Sequence, residues 1–221
     1  MKLYNLFYKC AYTIEYETIG EDVNYAFEER NDTLYIFFQG SNSITDWIFN
    51  FLFTKKIYKQ FRVHRGFYRA YSQVRDVLLD KIYNGNYESI VVVGYSHGAS
   101  LCQLAVEDIK YHFPNMKLLG YAFESPRCLK VPRKLRYYWK DLTMIRNGCD
   151  LITHLPPKIF GFNDLGKCLK IKGNTKLVKK RVPKCIKYHY PQCVLDGLEK
   201  YEEILSEKNK KKRKMAECNK Y

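Results

Sequence analysis

Ser96 sits between two glycines in Gly94-Tyr95-Ser96-His97-Gly98, a spacing that suits a nucleophile held on a sharp turn between a strand and a helix. A serine pinched there adopts a cramped backbone that turns its hydroxyl outward. Side chains two residues to either side would collide with neighbouring backbone, so glycine fits both places. The flanks agree with such a turn. Ile90 to Val93 form a β-branched run before it, and Leu101, Leu104, Ala105 and Ile109 recur at helical spacing after it. The start of that helix directs N–H groups and a partial positive charge towards any developing oxyanion. The pentapeptide alone arises by chance in about one chain in a dozen of this size, so its partners must decide its meaning.

A serine is a weak nucleophile without a base, and the base needs an acid to orient it. On a strand–helix turn the expected chain order is Ser, then Asp or Glu, then His. The chain has five histidines: His64, His97, His112, His154 and His189. His112 falls at the far end of the post-serine helix, and His154 is too near Asp150 to arrive on a separate loop. His189, between the last expected strand and the last helix, is placed where a base should arrive, with His154 as its rival. Asp150, on a loop leaving a strand, is the natural orienting acid. Asp141 precedes its strand and Asp164 lies in a lysine-dense region, so both are weaker candidates.

The elements that must position these residues alternate between strand and helix. Apolar residues Leu3, Leu6, Phe7, Ala11 and Ile14 predict a helix over 1–20, and a strand follows at 24–28. The almost continuously apolar run 33–38 predicts a central strand. A helix reaches Lys81, Asn84-Gly85-Asn86 turns the chain into the strand before Ser96, and further strands are expected at 117–123 and 139–146. The segment 161–187 suggests a hairpin turning at Gly173-Asn174, and Leu195, Leu198, Ile204 and Leu205 predict a last helix over 194–207. This alternation predicts a mostly parallel central sheet flanked by helices. The expected organisation is a single domain over 1–207 with a basic tail over 208–221. Ile44, Trp47, Ile48, Phe51 and Leu52 form an amphipathic stripe. It fits either a helix packed on the sheet or a cover whose apolar face closes over a site or onto lipid.

Composition bounds the rest. The 221 residues are 46% hydrophobic and 16% aromatic, ample for a core. A net charge of +15 favours anionic partners such as an acidic membrane surface, although a merely solvated basic surface explains it as simply. No nucleic-acid motif accompanies the charge, so nucleic acid is not expected as a partner. No stretch approaches the roughly 18 apolar residues of a membrane-spanning helix. Asn5 and Lys9 break the N-terminal apolar run, so no signal peptide is read there. The eight cysteines include no C-x-x-C pair, which disfavours structural zinc. Reduced, mostly buried thiols and a cytoplasmic location, peripheral at membranes, are the expectation.

Several segments together resemble the class 3, fungal-type lipase family of α/β-hydrolases. They are Phe38-Gln39-Gly40-Ser41-Asn42-Ser43-Ile44-Thr45-Asp46-Trp47-Ile48, then Val63-His64-x-Gly66-Phe67, then Gly94-Tyr95-Ser96-His97-Gly98-Ala99-Ser100-Leu101. Phe123-x-Ser125-Pro126-Arg127 and Asn147-x-x-Asp150-x-Ile152-x-x-Leu155-Pro156-Pro157 follow in the family's order. The resemblance implies a compact α/β-hydrolase fold with a short helical lid. It implies a triad of Ser96, Asp150 and His189, and an oxyanion hole of the Ser41 and His97 backbone N–H groups with the Ser41 hydroxyl as a further donor. Trp47, Ile48 and Phe51 would belong to the lid and substrate-binding surface, and His64 would be structural. Gln39 stands where the family commonly has arginine, His97 where leucine is common and Ala99 where glycine is usual. Tyr188 replaces the acid often found just before the histidine. The implied chemistry is ester hydrolysis on acylglycerol or phospholipid through an acyl-enzyme on Ser96, with no metal and no organic cofactor required. The alternative is an inactive relative that binds membranes or a partner.

Overall fold

The computed structural model describes residues 2–20, 23–40 and 54–218, with side chains through residue 211. The chain opens with α1 (Leu3–Tyr8) and a π-helical turn over Lys9–Thr13, then β1 (Glu17–Ile19), β2 (Val23–Arg30) and β3 (Thr33–Phe38). A hairpin of β4 (Lys55–Tyr58) and β5 (Phe61–His64) leads into α2 (Arg65–Asn84). Next come β6 (Ser89–Tyr95), α3 (His97–His112), β7 (Lys117–Phe123), the short β8 (Leu129–Lys130) and β9 (Leu142–Asn147). β10 (Lys167–Ile171), α4 (Lys184–Lys187) and α5 (Pro191–Cys218) complete it. The main sheet has the order β1-β2-β3-β6-β7-β9-β10, and a second, three-stranded sheet has the order β4-β5-β8. Within the main sheet β3, β6, β7, β9 and β10 run parallel, while β1 and β2 add an antiparallel edge.

Period-two alternation along the central strands makes two cores, one on each face. Leu34, Ile36 and Phe38 of β3 and Ile90 and Val92 of β6 face α2 and α3, where Phe67, Tyr71, Val74, Leu78, Leu101 and Leu104 meet them. Phe37, Val91, Val93 and Tyr95 point the other way, against Leu6 and Phe7 of α1 and Val194 and Leu198 of α5. Burying a side chain such as Phe37 or Leu34 stabilises the fold by roughly 1.5–3 kcal/mol each. Strands buried on both faces must read as continuous apolar runs, which is why 33–38 and 89–95 are so recognisable. Cys10, Cys102 and Cys128 are free thiols in these interiors, and Cys193 is a free thiol buried in a small separate cluster with Val178 and Tyr188.

Four local expectations are corrected. The N-terminal helix does not extend to residue 20: the chain is already extended at Ile14, and β1 pairs with β2. Past Ile14 the apolar stripe stops, and β-branched Thr18 and Ile19 suit a sheet edge better than a helix. The strand expected from Trp139 begins at Leu142, because Trp139 closes a 3-10 turn and donates its indole N–H to the Gln103 carbonyl at 2.7 Å. No return strand follows Gly173 among the described residues; β10 pairs in parallel with β9. The Gly173 N–H donates to Asn147 Oδ1 at 2.7 Å, which ties the segment to the sheet's end instead of letting it fold back. The last helix runs beyond 207, through the basic segment to Cys218. No helix among the described residues is long and apolar enough to cross a membrane.

Candidate active site

Parallel strands deliver their following loops to one end of a sheet, and there the loops after β6 and β9 and the loop between α4 and α5 meet at Ser96. It stands between β6 and α3 with φ 54° and ψ −118°, a sparsely populated conformation that costs about 1–3 kcal/mol and persists only where its surroundings enforce it. The glycines are enforced by space. A Cβ on Gly94 would lie 2.3 Å from the Gly98 carbonyl oxygen, and one on Gly98 would lie 2.3 Å from the Phe38 oxygen. The Ser96 N–H donates to the Phe123 carbonyl at 2.9 Å, and its own carbonyl accepts from the Ala99 N–H. His97 opens α3, so the helix's N-terminal end lies directly behind the serine.

His189 reaches the serine from the loop between α4 and α5. Its Nε2 lies 2.7 Å from Ser96 Oγ, and its Nδ1 lies 2.6 Å from Asp150 Oδ2. An ionised carboxylate only accepts, so Nδ1 carries the proton and Nε2 is left to accept from the serine hydroxyl. Asp150 leaves β9, and its other oxygen accepts the Ile152 N–H at 3.0 Å. Ser96, Asp150 and His189 are all buried, at 3%, 1% and 0% exposure, which strengthens each electrostatic contact and fixes each rotamer.

Neighbouring side chains hold the loops in place. Tyr95 donates its hydroxyl to the His189 carbonyl at 2.6 Å, and its ring stacks on the imidazole at 5.4 Å. Asn147 donates to the Tyr188 carbonyl at 2.8 Å. Buried Arg127 reaches the Pro156 carbonyl at 3.1 Å and also binds the His154 carbonyl and Asp164. The sequence assigns these residues no site role: Tyr95, Arg127 and Asn147 stand in it only as members of the segments that resemble the lipase family. Glu124, directly after β7, is likewise buried beside Asp150 and His189.

The rival candidates lie elsewhere. His154 Nδ1 contacts the Asp150 backbone carbonyl at 2.8 Å, not the serine. Asp141 pairs with Lys110, and Asp164 with Arg127, Arg146 and Lys158. Burial would raise the Asp164 pKa, but hydrogen bonds from Arg146, Lys158 and Arg127 outweigh it and hold the carboxyl well below the usual range. His64 packs against Phe67 and Phe162. Ser41, Trp47, Ile48 and Phe51 lie outside the described residues.

The profile of the family described as "Lipase (class 3)" matches residues 35–160. A lipase of Rhizomucor miehei is 31% identical over 176 residues, covering 72% of this chain and 48% of that protein. The secreted mono- and diacylglycerol lipase A of Penicillium cyclopium is 31% identical over 127 residues, covering 53% of this chain and 41% of that protein. The chain thus spans about half the length or less of these relatives. The crystallographically refined triacylglyceride lipase of Rhizomucor miehei superposes with a TM-score of 0.68 at 23% identity, covering 84% of this chain and 82% of that one, and shows the same fold. The expectation of a cytoplasmic location does not survive these matches, because the Penicillium relative is a secreted enzyme. By the span and order of the matched segments, and by the α/β-hydrolase sheet that carries them, the chain belongs to the class 3 lipase family.

Proposed function

We propose that the protein is a serine ester hydrolase acting on lipid-like carboxylic esters, acylglycerol or phospholipid, through an acyl-enzyme on Ser96. The observation that carries this reading is the unbroken chain from Ser96 Oγ to His189 Nε2 at 2.7 Å and from His189 Nδ1 to Asp150 Oδ2 at 2.6 Å. In acylation His189 takes the serine proton as Oγ attacks the ester carbonyl, and Asp150 stabilises the imidazolium that forms. The proton passes to the leaving alcohol. Water, activated by the same imidazole, then releases the acid. The His97 N–H at the start of α3 and the Ser41 N–H are the proposed oxyanion donors, each worth roughly 2.7–4 kcal/mol of transition-state stabilisation. This chemistry requires no metal or organic cofactor.

The same reading makes 1–207 the hydrolase unit, with 208–221 an appended basic segment and Trp47, Ile48 and Phe51 a lid that meets the lipid. It favours contact with anionic surfaces through the +15 charge, in the extracellular setting of the secreted relatives. A panel of triacylglycerol emulsion, monoacylglycerol and phospholipid vesicles tests it. At least one is expected to be hydrolysed, with a loss of about 10⁴-fold or more in Ser96→Ala. No turnover of any of the three above the Ser96→Ala level would sink the proposal.

A further inference from the structure

One buried acid at the site has no part in the mechanism above. Glu124 directly follows β7, the strand beside β6, and is completely buried. The neighbours of its carboxyl oxygens are the Asp150 carboxyl and the Asn147 backbone, and neither makes a well-formed hydrogen bond to them, an unfavourable state for any buried polar atom. Its backbone lies at φ 50°, where glycine is at ease and glutamate is not. Backbone and solvation both disfavour this residue here, so its side chain calls for a reason.

The surroundings supply one. An oxygen of Glu124, an oxygen of Asp150 and a ring nitrogen of His189 lie within 4.8 Å of one another. Two carboxyl groups this close, sealed from water, cannot both be charged, and one of them holds a proton. Asp150 accepts from His189 Nδ1 and the Ile152 N–H, so it keeps the charge and Glu124 takes the proton. Burial first, and the Asp150 charge second, hold the Glu124 pKa well above its ordinary value. Arg146 and the Asn147 backbone favour its ionised form but act more weakly than burial. The Tyr95 phenol facing the pair stays neutral, its pKa pushed well up by burial and then by Asp150 and Glu124.

We propose that Glu124 is a reserve acid of the triad, neutral beside ionised Asp150 and able to orient His189 when Asp150 loses its charge. It acts through the histidine, so it is a positioning residue, and the inference rests on the hydrolase reading. When Asp150 is replaced by a neutral residue, the second of the two causes that hold the proton on Glu124 is gone, so Glu124 ionises at a lower pH than in wild type and its proton passes to bulk solvent. Its carboxylate then accepts the His189 Nδ1–H that Asp150 accepted, closing the gap by a side-chain adjustment into the vacated space. A neutral Gln at 124 cannot do this.

The test is the rate of fluorophosphonate labelling of the full chain across pH 6–9. It compares wild type, Glu124→Gln, Asp150→Ala, Asp150→Asn and the two double variants. Adding Glu124→Gln is expected to slow the Asp150 variants about tenfold more than it slows wild type, a non-additivity that identifies groups acting together. The extra factor grows with pH, as Glu124 ionises. Asp150→Asn keeps the shape and the acceptor for the Ile152 N–H, and so carries the test if Asp150→Ala does not fold. If Glu124→Gln has the same effect in every background at every pH, the inference is overturned. If wild type is not labelled, the hydrolase reading fails, and this inference with it.

Discussion

At the scale of single residues, Ser96 and Asp150 are legible in the sequence because their neighbours are constrained too. Gly94 and Gly98 are demanded by backbone 2.3 Å from where a Cβ would stand, and Asp150 rides in a patterned turn ending in two prolines. His189 has no such frame. Its loop is held by Tyr95 and Asn147 from distant strands, contacts that no local pattern announces. Glu124 was legible only as part of a polar turn at a strand end, since its proximity to Asp150 depends on β7 and β9 being neighbours. The assignment of the base is testable directly. His189→Ala should lower ester turnover by about 10⁴-fold or more, whereas His154→Ala should stay within about fivefold of wild type. A steady-state assay of both variants checks this, and the opposite ranking would move the base to His154.

At the scale of elements, the strands of the double-faced sheet were readable and the edges were not. Strands at 33–38 and 89–95 are apolar on both faces, while β1 and β10 are short edges whose pairing is decided by what lies beside them. The elbow's packing gives one prediction. Gly98→Ala must push the helix start away from the Phe38 and Gln39 carbonyls, destabilising by about 1–3 kcal/mol. Denaturant melts should show that loss, and an unchanged midpoint would mean that β3 yields without strain. A second prediction concerns α3, whose buried Glu107 and Asp108 meet Lys59 from the β4–β5 turn, with Arg75 of α2 also bound to Asp108. Burial pushes the Glu107 carboxyl up from 4.5 to about 7, against the pull of Lys59. An acid with a raised folded pKa stabilises the fold below its unfolded value, and that contribution is lost as pH rises from about 4.5 to 7. Glu107→Gln, which leaves Lys59 its Asp108 partner, should therefore be more stable than wild type at pH 8 by about 1–3 kcal/mol. The advantage should vanish by pH 4.5. Thermal melts at both pH values check it, and a gap that does not change with pH would contradict it.

At the scale of the whole molecule, composition indicated a basic protein with a full core, and the order of motifs indicated its family. Location was not legible. The cytoplasmic expectation rested on an N-terminal segment, and the location drawn from it is contradicted by a secreted relative. The charge of +15 predicts binding to vesicles containing anionic lipid that weakens between 50 mM and 500 mM salt, as screening shortens the reach of surface charges. Co-sedimentation measures it, and salt-independent binding would point instead to apolar insertion. Replacing Trp47 and Phe51 by Ala should reduce turnover of emulsified esters by at least about tenfold more than turnover of a soluble short-chain ester. Equal losses on both substrates would make that segment packing rather than a lid.

The central claim is that Ser96 is a nucleophile activated by His189. It is tested most directly by incubating the protein with a fluorophosphonate probe and locating the adduct by peptide mass spectrometry. The account predicts a single adduct on Ser96 in wild type, none in Ser96→Ala, and labelling slowed by about 10³-fold or more in His189→Ala. An adduct on another residue, or a Ser96 adduct formed equally fast without His189, would contradict it.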